Sequence, residues 1–109
     1  MNGSQTVADV LNAAADLIEP EGAWTRGVLA RNASGNLVMP CNPEAICWCA
    51  LGAIRVAGHF VQAATRSVCF FRRHIGVESI EDWNDATGRT QVEVVAALRA
   101  AAIAAQVPA

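Results

Sequence analysis

Residues 41–54, Cys-Asn-Pro-Glu-Ala-Ile-Cys-Trp-Cys-Ala-Leu-Gly-Ala-Ile, hold three of the chain's four cysteines and one of its three tryptophans. Asn42 is a favourable helix N-cap, and Pro43 suits the first helical position, where its missing N–H costs nothing. No charged side chain interrupts the run from Ala45 to Ile54. A helix of that composition has no truly polar face, so the pattern predicts a buried helix over residues 43–57, stopped by Gly58. One of its stripes is Glu44, Trp48, Leu51 and Arg55; another is Ala45, Cys49, Gly52, Ala53 and Val56. The second stripe is small and smooth. It would let another backbone approach closely, which explains a glycine whose cost inside a helix is about 1 kcal/mol. This helix is expected to be the packing axis of the molecule.

The flanking segments supply what would surround it. From about Ser4 to Glu19, Val7, Val10, Leu11, Ala14, Leu17 and Ile18 recur at helical spacing; Ser4 or Thr6 can cap the start, and Pro20-Glu21-Gly22 stops it. Trp24 to Met39 predicts a β-hairpin that turns over Asn32–Asn36. A third helix is expected over Phe60–His74, with Phe60, Ala64, Ser67, Val68 and Phe71 inward and Gly76 ending it. Residues 77–83 look extended or irregular, and 84–89 a tight loop. Thr90-Gln91-Val92-Glu93 is a capping box that opens a last helix reaching about Ala105. Val94, Val95, Leu98, Ala101 and Ala102 form its inner face, with Gln91, Arg99 and Gln106 outward and residues 107–109 a short tail. The expected fold is α+β: a small single domain over residues 1–109, core about 5–105, with about four helices packed around the 43–57 helix and a hairpin at about 24–39.

A chain of 109 residues with 53% hydrophobic content can form one core without disulfide or metal staples. The net charge is -2, and arginine supplies all eight Lys/Arg positions. An acidic chain with scattered arginines lacks the electrostatic footprint of a nucleic-acid binder. The densest basic group, Arg66, Arg72, Arg73 and His74, is followed closely by Glu78, Glu81 and Asp82, and reads as a solvated helix end. The N-terminus has neither a basic region nor an apolar stretch of secretory type. The longest apolar run is about half a membrane span. The expectation is a cytoplasmic protein with no membrane partner and with reduced cysteines.

Three groups could carry chemistry. Cys41, Cys47, Cys49, Cys69, His59 and His74 are zinc-ligand types, but no Cys-x2-Cys knuckle exists, and Cys47 and Cys49 would lie about 200° apart around a helix. No metal is expected. The order Cys49, His59, Asn84 or Asp85 matches a Cys-His-Asn arrangement. On a continuous helix, however, His59 would lie about 15 Å from Cys49. Cys41, just ahead of the expected helix start, would feel its dipole instead. The stretch Trp83, Asn84, Asp85 to Arg89 offers an aromatic, an amide, a carboxylate and a guanidinium between rigid elements, a setting suited to a small polar ligand or a protein partner. Trp24, Arg26 and Arg31 on the hairpin could add a partner-binding edge, and a flat hairpin edge would permit a homodimer by strand pairing.

Trp24, Gly27, Ala30-Arg31 and Gly35, then Ala45 and Cys47-Trp48-Cys49-Ala50-Leu51-Gly52-Ala53, then Trp83-Asn84-Asp85, Gly88-Arg89-Thr90 and Glu93-Val94 follow one another in a recognisable order. In this the chain resembles the DUF6197 family of small bacterial and phage proteins, over roughly residues 5 to 105. The resemblance implies no catalytic residue and no cofactor, and it brings no established activity. Its phage members imply, by analogy, a small regulatory or counter-defence role. The functional expectation is a non-enzymatic binding or regulatory protein acting near Trp83–Arg89. The alternative is a small cysteine-dependent enzyme using Cys49 or Cys41.

Overall fold

The computed structural model describes residues 5–106; Ser4, the alternative cap, and the 107–109 tail lie outside them. Helix α1, Val7–Ile18, begins where Thr6 and Asp9 close a capping box, each side chain accepting from the other's amide at 3.0 Å. Its apolar face, Val10, Leu11, Ala14, Ala15 and Ile18, is completely buried. Helix α5, Gln91–Gln106, starts with the expected box between Thr90 and Glu93. Two of its residues expected to point outward instead bind α1. Gln91 Nε2 donates to the carbonyls of Ile18 (2.6 Å) and Pro20 (2.7 Å), satisfying groups that a helix end leaves unpaired. Arg99 pairs with Asp16 at 2.7 Å and Glu19 at 2.9 Å.

The expected helix over 43–57 is shorter than its pattern suggested. Ala45–Trp48 is a strand, β2, and helix α2 covers only Ala50–Ala57. Asn42 makes a turn rather than a cap: its side chain accepts from the Glu44 amide at 2.7 Å and its carbonyl from the Ala45 amide at 2.9 Å. Ile46, Cys47 and Trp48 favour extended backbone, and the turn releases the chain in that direction. The true N-cap is Cys49, whose sulfur accepts from the Gly52 amide at 3.4 Å. The packing axis is therefore α1, against which α2, α3 and α5 all lie.

Strand β1, Ala30–Asn32, pairs antiparallel with β2 in the register Ala30 to Trp48, Arg31 to Cys47 and Asn32 to Ala45, with a bulge between Arg31 and Asn32. The expected turn at Asn32–Asn36 forms, with Gly35 at φ 82°. Its second limb adds only an isolated bridge, Arg31 to Leu37. The regular partner of β1 comes from residues 45–48 rather than 37–39. Trp48 is also held from its other side, by Ala23 and Thr25.

Gly52 meets the close approach that its stripe implied: a methyl there would run into the carbonyl oxygen of Leu29. Helix α3, Val61–Ile75, ends at Gly76 in the left-handed region, φ 71°. A one-turn helix, α4, Ile80–Asn84, replaces the expected irregular stretch, with Ser79 accepting from the Asp82 amide at 3.1 Å. Five helices and one two-stranded antiparallel ladder make the described residues an α+β fold. None of these helices is long and apolar enough to cross a membrane.

Candidate functional site

Asn84 closes α4 with its side chain completely buried. Its Oδ1 accepts from Trp24 Nε1 at 2.7 Å and from the Ala50 amide at 3.0 Å. Its Nδ2 donates to the Thr25 carbonyl at 3.1 Å and to Asp85 Oδ1 at 3.0 Å. An amide side chain has two donors and two acceptor positions, so every one is used. The bond to Ala50 also satisfies a first-turn amide of α2. One side chain thus ties α4, the strand region and α2 together.

The neighbouring residues extend this network. Asp85 Oδ1 also accepts from the Gly27 amide at 2.9 Å. Arg26 donates to the carbonyls of Asp85 (2.9 Å) and Ala86 (2.7 Å). Arg31 donates to Thr25 Oγ1 at 3.0 Å, the Gly35 carbonyl at 3.1 Å and the Arg26 carbonyl at 3.0 Å. Arg89 donates to the Trp83 carbonyl at 2.9 Å and lies 4.4 Å over the Trp83 ring, which meets Phe71 edge-on at 5.7 Å. The structure therefore brings together all seven sequence-expected residues, Trp24, Arg26, Arg31, Trp83, Asn84, Asp85 and Arg89. Their polar groups bind one another and the local backbone. A cavity touching this cluster, beside Gly27, Cys49, Glu81 and Asp85, measures about 30 Å³, room for about one water.

The thiols are arranged differently from expectation. Cys49 sits at a helix N-terminus, a position that lowers a thiol pKa. Burial nevertheless pushes it up, and the charges of Asp85 and Glu81 add to that, against the opposing amides of Gly52 and Leu51. Cys41 is exposed, but it lies in a turn with no helix beginning at Pro43. Among the described residues, no three histidine, cysteine, aspartate or glutamate side chains converge as a metal site would require.

A larger concavity lies elsewhere. A groove of about 470 Å³ runs between the end of α2 and the first half of α3. Gly58 and Ala64 form its floor; a methyl on Gly58 would come within 2.7 Å of the Ala64 methyl. Its walls carry Arg55, His59, Phe60, Val61, Thr65 and Val68. Phe60, expected to point inward, is 65% exposed, and Val61 is 82% exposed. Phe60 is the N-cap of α3 and supplies no side-chain cap. The sequence did hold a signal for this surface: two large apolar residues stand together at a helix start that lacks a capping side chain.

A model of a family of unknown function, DUF6197, matches residues 3–104 of the 109-residue chain. No curated protein and no solved structure matches it.

Proposed function

Because the chain belongs to the DUF6197 family, a family of unknown function, we propose its role from geometry: a non-enzymatic binding and regulatory protein whose partner docks in the α2–α3 groove. The observation that carries this reading is the combination of exposed Phe60 and Val61 with Arg55 over a single concave floor. Exposed apolar residues grouped in a concavity and rimmed by polar groups are the usual form of a docking site. The groups near Trp83–Arg89 are bonded to one another, which favours the groove over that loop. The buried Cys49 thiol is held protonated, the reverse of what nucleophilic catalysis needs.

The test is an amide chemical-shift map of the whole protein with three amphipathic helical peptides that share an apolar stripe and carry acidic, neutral or basic polar faces. The reading predicts saturable shifts concentrated at residues 55–69 with at least one peptide. Shifts centred on residues 83–89, or none with any of the three, would contradict it.

A further inference from the structure

Charge along this chain is unevenly divided. Residues 45–77 hold four of the eight arginines and none of the ten acidic residues. Those four are Arg55, Arg66, Arg72 and Arg73. Among the described residues, none of them is in an ion pair; the pairs present are made by Arg89 and Arg99. The remaining four arginines share their part of the chain with all ten carboxylates. A net charge of -2 thus conceals a cationic α2–α3 stretch in an otherwise acidic chain.

Helical spacing aligns part of this charge with the groove. Val61, Thr65 and Val68 follow at steps of four and three along one stripe of α3, and Arg72 continues that stripe one turn further. Arg66 and Arg73 lie about 100° further round the helix, both on one side of that stripe. Arg55 lies in the groove wall on α2. The resulting surface has an apolar strip with the guanidinium groups of Arg55 and Arg72 beside it. Its 15-residue helix is about 22 Å long, enough to lie beside about four turns of another helix.

We infer, resting on the docking reading above, that the groove's partner is an acidic amphipathic helix, whose apolar stripe covers Phe60, Val61 and Val68 and whose carboxylates meet Arg55 and Arg72. Guanidinium groups bind carboxylates with short, charge-assisted hydrogen bonds, and exposed arginines reach them without burying an unpaired charge. A helix laid in an apolar groove anchors through residues three and four apart, the spacing that the α3 stripe presents. A nucleic acid fits the surface less well, because its phosphates would leave Phe60 and Val61 uncovered and would face the acidic remainder of the molecule. A second copy of the chain could offer the acidic, apolar face at Glu19, Glu21 and Val92, but Glu19 there is already bound by Arg99.

The test measures fluorescence anisotropy of labelled helical peptides of about four turns, with one leucine stripe and with glutamate, glutamine or lysine on the polar face. The glutamate peptide should bind at least about tenfold more tightly than the glutamine peptide, and the lysine peptide least. That advantage should vanish in about 0.5 M salt. Arg55→Glu should abolish it at an unchanged thermal midpoint, and Phe60→Ala should weaken every peptide that binds. Equal binding of the glutamate and glutamine peptides would overturn the acidic partner while leaving the groove as a docking site. Binding of none would overturn both. Tighter, Arg55-dependent binding of a single-stranded oligonucleotide would overturn the inference in favour of nucleic acid. Salt-sensitive self-association that Arg55→Glu removes would overturn it in favour of a second copy.

Discussion

Removing Asn84 would strand more than its own amide. With Asn84→Ala, Trp24 Nε1 and the Ala50 amide both lose the oxygen they share. A buried donor left unpaired costs about 1–3 kcal/mol. The expected loss is therefore about 3 kcal/mol or more, seen as a fall in thermal midpoint of more than about 10 °C; a fall of under about 3 °C would show the network to be dispensable. Cys49 makes a prediction in pH. Its folded pKa lies above the ordinary 9.0, so the unfolded chain loses its proton first. Stability is fully present below 9.0 and should fall as pH rises above that value. Cys49→Ser keeps an acceptor for the Gly52 amide but has no titrating thiol, so urea midpoints of the variant should lack this part of the alkaline decline. At this scale the sequence singled out residues around Trp83–Arg89 that the structure joins in one network, but not what they bond to. Side-chain types on a loop look the same whether their partners are internal or external, and three of Asn84's four partners, Trp24, Thr25 and Ala50, lie far from it in the chain.

Elements were most legible where local chemistry decides them. The Thr90–Glu93 box and the Gly76 stop rest on interactions within a turn or two of the chain, and the α1 face announces itself through a local apolar period. The 43–57 helix failed because the outcome there depends on a distant strand. Asn42-Pro43 suits a turn as well as a cap, and only β1 decides between them by pairing with residues 45–48. The small α2 stripe was read correctly at Gly52, though its partner proved to be the Leu29 backbone. Gly52→Ala measures that contact. In an ordinary helix the change would gain about 1 kcal/mol. Here the methyl must displace a backbone carbonyl, so a net loss of about 1–3 kcal/mol is expected in urea unfolding. A more stable variant would mean that the hairpin does not press on α2 as described.

Across the whole molecule, two surfaces divide the work. The side containing Trp24, Asn84 and Arg89 joins the strands to the helices, and its polar groups are engaged in doing so. The α2–α3 side leaves apolar residues and arginines facing outward. Neither assignment was visible from composition alone, because a net charge averages the acidic and cationic stretches into a small number. Comparing Arg55→Glu with Asp85→Ala separates building from binding most directly, with thermal midpoint and glutamate-peptide affinity measured on each. The account predicts that Arg55→Glu loses at least about tenfold in affinity at an unchanged midpoint. Asp85→Ala, which removes the acceptor of the Gly27 amide, should lower the midpoint by about 5 °C and leave the affinity of the folded protein unchanged. The opposite pattern, with affinity lost at Asp85 and kept at Arg55, would contradict it.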